Sequence, residues 1–455
     1  MSTVRSLLRA RWSLVAAVVA LAPSTAWAEC PPDCDLAALR SLALDHAPEV
    51  DSAEARVSFS EARYDEARFA AANIGRFDLG AYPTPMRLGD VASSAQPDIS
   101  FSSEMGLFAT FRIEGALAIT PWWQIVELWR AARGGVEMSE SEVDLARGRV
   151  VIAVERAYRD AQIASESIRA IRRARRQVGQ ALAHVERLLD EDLPGADETD
   201  RLRLEVTMAG FDARIAEIGR DRRLALTRLR RLAGLPRGSR LTPAPLSVDS
   251  TDIAPLDWYL ETARRRRPEV RLSLAGVNAA SALVRARQAE VVPELAIGAF
   301  YGFRRTPVVD DQTSPFVSDP WNGQGVGYGL VFRWAPSPGV AAARILEARA
   351  DLAYARAMRR HALGGVAYEV EEAYINAVED DAVARVRAQA LDIATRRFDE
   401  ALADLSQGRS SPGDVSRAAQ DWVSQELSHL SASGRALVSR ALLDLATGTI
   451  LPERD

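Results

Sequence analysis

The residue types that could do chemistry are few in this 455-residue chain, and they are scattered. His46, His184, His361 and His429 share no metal-ligand spacing, so ordinary helix positions explain them and no metal site is expected. No Ser-His-Asp arrangement and no phosphate loop occurs. Gly323-Gln324-Gly325-Val326-Gly327 looks like a nucleotide loop only in part. It leads into a strand instead of a helix, where a turn and small wall residues explain it better. Cys30 and Cys34 either close a small loop in an oxidising compartment or remain two thiols in a mobile terminus. No catalytic centre and no cofactor follow, and the chain is read as a non-enzyme.

What remains is charge. Asp190, Glu191 and Asp192 lead into Leu193-Pro194-Gly195, and Asp197, Glu198 and Asp200 follow it. A second turn, Gly408-Arg409-Ser410-Ser411-Pro412-Gly413-Asp414, interrupts the helical pattern near the other end. Repeated around an axis, such carboxylates would form a ring that attracts cations and basic partner loops. Taken singly, acids at a helix start complement its dipole. Arg264 to Arg267 reads most simply as a solvated cluster at a helix end. The formal charge of −5 becomes −8 once three arginines of a leader are removed, a balance that argues against a nucleic-acid partner.

The elements that must position these turns are long. Residues 1–28 read as a signal peptide: Arg5, Arg9 and Arg11, an apolar run from Trp12 to Ala22, and Ala26-Trp27-Ala28 as the cleavage site. From Ser139 to Asp192, apolar residues at Val143, Val150, Val154, Ala157, Ala161, Ala164, Ile168, Ile171, Val178, Leu182, Val185 and Leu188 repeat at threes and fours, the seam of a coiled coil. At about 1.5 Å per residue this helix spans roughly 80 Å.

The pattern occurs twice. His46-Ala47-Pro48-Glu49-Val50 returns as Arg266-Arg267-Pro268-Glu269-Val270, and Ala157-Tyr158 in one long helix returns as Ala373-Tyr374 in the other. The expected organisation is a first repeat over 29–235, a linker over 236–255, a second repeat over 256–448 and a tail over 449–455. Each repeat holds a helix from its start, a β-hairpin (about 76–120 and 293–335) and a long helical hairpin (about 124–234 and 339–447). The first helix is expected to run unbroken from about Asp35 to Ala72.

The strands alternate. Leu107, Ala109, Phe111, Ile113 and Gly115 share one face, and Phe108, Thr110, Arg112, Glu114 and Ala116 share the other. Such a wall suits a barrel between lipid and water. Four strands are too few to close one, so several chains must pool them, and three would give twelve. Trp122, Trp123, Trp321 and Trp334 at strand ends suit an interfacial belt against outer-membrane lipid. The fold class is therefore mainly α with inserted β-hairpins, with long antiparallel coiled-coil helices. The other reading of the same helices is a soluble periplasmic coiled-coil scaffold or adaptor.

With the Pro-Glu-Val start of each copy, the Ala-Tyr within each long helix and Gly408-x5-Asp414-Val415 in place, the chain resembles the TolC family of outer-membrane efflux proteins over essentially its whole mature length. The resemblance implies a homotrimer with a twelve-stranded transmembrane barrel and a helical tunnel through the periplasm. It implies docking at the tip to a periplasmic adaptor and an inner-membrane pump, in tripartite efflux or type I secretion. It also implies an aperture at the tip, lined by two acids three residues apart. Asp414 falls on the first of these positions and Arg417 on the second; Leu405 takes an aromatic position, and Arg409, after Gly408, neighbours an arginine position.

Overall fold

The computed structural model describes residues 35–69, 76–88, 100–191, 197–247, 252–309, 319, 321–334 and 336–451. Residues 1–28, expected as a signal peptide, both cysteines, Asp192, Pro194 and Gly195 lie outside the described residues. The elements, in order, are α1 Leu36–His46, α2 Pro48–Phe69, β1 Arg76–Leu88, β2 Ser100–Thr120, α3 Trp122–Asp190 and α4 Glu198–Leu232. They continue with α5 Leu256–Arg266, α6 Pro268–Ala289, β3 Glu294–Arg305, β4 Gly323–Arg333, α7 Pro338–Ser406 and α8 Pro412–Thr447. The two halves follow one order of elements.

The first helix is broken where one was expected. Asp35 caps α1 by accepting the Ala38 N–H at 2.8 Å. Pro48 then starts α2, because the residue before a proline is pushed out of the helical region, and Ala47 is extended. The same break separates α5 from α6 at Arg267-Pro268. The long helix starts earlier than its heptad: α3 counts 69 residues, about 100 Å, and α7 also counts 69. Ten of the twelve seam residues are buried, and Leu182 and Leu188 are half-buried.

Each half closes in the same way. Gly234 and Gly448 end α4 and α8 with φ of +65° and +77°, the left-handed region where glycine carries no penalty. A Cβ on Gly234 would stand 2.8 Å from the His46 ring, and one on Gly448 would stand 3.0 Å from the Arg266 backbone. The helix end of each repeat thus seats on the corner before its Pro-Glu-Val. One expectation fails here. Arg267, read as part of a solvated run, is buried; it donates to the Leu445 carbonyl at 2.7 Å, pairs with Glu269 at 2.9 Å and reaches Glu369.

The four strands form one antiparallel sheet in the order β1-β2-β3-β4, so the two hairpins are themselves joined through β2 and β3. β3 and β4 have 12 and 11 residues, close to the roughly 9–11 that cross a bilayer at a tilt. No described helix is long and apolar enough to cross a membrane.

Candidate functional site

The sheet has two unlike faces. Phe77 stands opposite Ile113, Leu79 opposite Phe111, Ile113 opposite Tyr301, Leu117 opposite Ile297, Ile297 opposite Leu330, and Tyr301 opposite Val326. Directly opposite residues share a face, so these side chains form one continuous apolar surface. It is uncovered in the single chain: Leu79 is 84% exposed, Tyr328 89% and Leu330 71%. An exposed apolar patch of this extent marks a surface that meets lipid or another chain. The other face is polar. Arg76 pairs with Asp78 at 3.2 Å, Arg112 with Glu114 at 3.1 Å, and Arg333 with Glu294 at 3.1 Å. Arg112 also stacks on the Phe300 ring at 5.3 Å.

Both outer strands, β1 and β4, are edges with unpaired backbone groups. β4 puts glycine at four successive polar-face positions, Gly323, Gly325, Gly327 and Gly329. At Gly327 the space is used, since a Cβ there would stand 2.4 Å from the Phe300 ring.

Of the tryptophans, Trp122 and Trp123 stand edge to face at 6.4 Å and exposed where the sheet meets α3, and Trp334 is exposed where β4 leaves towards α7. Trp321 lies at the opposite end of β4 and packs edge-on against Phe108 at 5.4 Å. Trp129 is a packing residue whose indole N–H donates to the Ala67 carbonyl at 2.6 Å.

At the far end of the helices the two turns come together. Leu204, Phe211, Phe398, Leu405, Val415 and Trp422 share a buried core with the end of α3. Leu405 therefore faces the inside of the helical bundle. Gly408, with φ of +69°, ends α7, and Arg409 folds back on Asp404 at 2.7 Å. Asp414 is held in a capping box: it accepts the Ser411 hydroxyl at 2.7 Å and the Ser411 N–H at 3.2 Å, while its own N–H donates to Ser411 Oγ. Arg417 adds a 2.5 Å bond to the same carboxylate. The arginine at the second acidic position thus compensates the acid at the first.

The first turn behaves likewise. Asp197 caps α4 by accepting the Asp200 N–H at 2.8 Å; Glu198 is bonded by Arg201, and Asp200 pairs with Arg203 at 3.0 Å. Among the described residues, Asp190 and the C-cap residue Glu191 carry no ion pair. Arg203 reaches across to the second turn, where a Cβ on Gly413 would meet its guanidinium at 2.6 Å. Below it, the Thr207 and Ser416 hydroxyls bond at 2.6 Å and Gln420 donates to Thr207 at 3.1 Å. This link between α4 and α8 joins residues some 210 apart, and no spacing in the sequence marks it.

The Ser411 hydroxyl, and then Arg417, hold the Asp414 carboxyl below its usual range. A lowered folded value means that the charged cap adds stability above the unfolded value, near 3.8, and loses it as pH falls through the folded one. Hydrogen-exchange protection of the first turn of α8 should therefore stay level from neutral pH to about 5 and fall below about 4. With Asp414→Asn the acid-dependent loss should vanish.

No group of three or more potential metal ligands gathers among the described residues. Comparison with known proteins adds a likeness in sequence over part of the chain and in fold over nearly all of it. Residues 259–449 match the family model described as outer membrane efflux protein. The second half of the chain is thus similar to that family's domain. Solved structures share the fold over nearly the whole chain. The outer membrane protein VceC of Vibrio cholerae superposes with a TM-score of 0.71 at 17% identity, over 91% of this chain and 96% of that one. CusC, solved in conformations that accompany transmembrane channel formation, gives 0.73 at 15%, over 94% and 95%. The open-state MtrE outer membrane channel of Neisseria gonorrhoeae gives 0.70 at 16%, over 91% and 89%. Comparison with curated proteins gives no significant match. The matched residues hold most of α5, all of α6, and β3, β4, α7 and α8, and the first half follows the same order of elements.

Proposed function

We propose that the chain is the outer-membrane channel of an efflux or type I secretion system. Three copies pool their sheets into a twelve-stranded barrel, and their helices form a tunnel through the periplasm. The channel is a passive conduit; an inner-membrane pump supplies the energy, and a periplasmic adaptor docks at the tip around Asp190, Glu191 and Asp414. The observation that carries this reading is the sheet. It has one continuous apolar face, one polar face and two open edges, and in lipid an open edge leaves backbone groups unsatisfied at several kcal/mol each. Pooling removes both the edges and the exposure.

The mass of the detergent-extracted protein from fractionated outer membrane, by light scattering with the detergent subtracted, tests this. A protein mass of three chains is expected. A detergent-independent monomer in the soluble periplasm would contradict it and leave the scaffold reading.

A further inference from the structure

Among the described side chains of the polar face, one arginine has no acidic partner. Three of its arginines have an acid on the same face: Arg76 with Asp78, Arg112 with Glu114, and Arg333 with Glu294. Arg304 has none. It sits on β3 opposite Thr110 of β2 and opposite Gly323 of β4, and it is exposed. Among the described residues it forms no ion pair. Its neighbours also leave it bare, because Gly302 precedes it on the same face and β4 offers only Gly323 and Gly325 beside it. The guanidinium thus keeps its full charge and faces the polar side without cover.

We propose that Arg304 sets charge selectivity in the lumen, as a ring of three guanidinium groups that favours negatively charged solutes over positively charged ones. This rests on the trimeric barrel proposed above, and it goes beyond it by naming the class of solute. Rings of arginine select anions for the same reason that carboxylate rings select cations: the fixed charge is felt at close range, where screening is incomplete. At the tip Arg417 compensates Asp414, and the unpaired Asp190 and Glu191 lie at the far end of the helices, away from the sheet.

The test reads the lumen directly and does not require an open tip. Gly325 lies on the same face beside Arg304, and a Cβ there meets nothing within 4 Å, so Gly325→Cys is sterically free. In the full chain with Cys30→Ser and Cys34→Ser, Gly325→Cys is labelled with an anionic and with a cationic methanethiosulfonate of similar size. At low salt a neighbouring unit charge alters each rate by about twofold in opposite senses, so the anionic reagent should win by about fourfold relative to a free thiol. Arg304→Gln should return the ratio to that of the free thiol, and raising the salt should do the same. A ratio that Arg304→Gln leaves unchanged, or one that favours the cation, overturns the proposal. The mass of the same sample separates the two claims: a trimer with an unchanged ratio sinks the selectivity, and a monomer sinks the barrel itself.

Discussion

Replacing Leu330 with arginine should abolish recovery of the trimer, and the same change one residue earlier should not. Leu330 is 71% exposed in the single chain, on the face shared with Ile297 and Leu117. If that face meets hydrocarbon, an arginine near mid-membrane costs about 2–4 kcal/mol per chain, and three chains bear it together. Gly329 lies on the polar face, where an added Cβ has open space, so Gly329→Arg places its charge in water. Comparing the amount of trimer in the outer-membrane fraction for the two variants checks this. Equal recovery would mean that both faces see the same solvent.

The second large effect is expected at Glu155. Its carboxylate is 1% exposed and receives Arg40 from α1 at 2.5 Å and Arg159 at 2.8 Å. It is the charged link that ties α1 to the long helix. Removing one partner of a buried pair costs about 3–5 kcal/mol, since the other is left uncompensated. The loss for Glu155→Ala should fall near the lower end, about 3 kcal/mol, because Arg40 keeps access to water and lies near Asp444. Glu155→Gln should lose less, as its amide oxygen still accepts from one of the two arginines and the side-chain volume is kept. The midpoint of chemical denaturation in detergent, followed by helical signal, measures both.

Local pattern made much of this fold legible. The alternation from Leu107 to Ala116 identified two unlike faces because residues two apart must share a side of a strand. The seam from Val143 to Leu188 identified a coiled helix because its spacing fits no other element. Both depend on neighbours in sequence.

The parts that were not legible depend on distant partners. Arg267 belongs to a run of four arginines and looked solvated, yet Glu369 and the Leu445 carbonyl meet it from far along the chain. Leu405 stood at an aperture position by resemblance, but its apolar side chain joins the tip core with Phe398 and Trp422. The Thr207 and Ser416 pair had no signature at all, because a hydroxyl reveals its partner only once two helices are packed. For Arg304 only the residue type was readable, since the strand was expected to end at Phe303 and β3 runs on to Arg305. Its lack of an acid was not, since that required the registers of β2 and β4.

The central claim is that this sheet separates lipid from water, and accessibility along β4 tests it most directly. Spin labels placed singly from Gly325 to Phe332 in the membrane-embedded protein would be exposed in turn to oxygen, which concentrates in lipid, and to a water-soluble nickel complex. The account predicts two period-two patterns out of phase. Oxygen should dominate at Val326, Tyr328, Leu330 and Phe332, and the nickel complex at Gly325, Gly327 and Gly329. Patterns in phase, or no period at all, would contradict it.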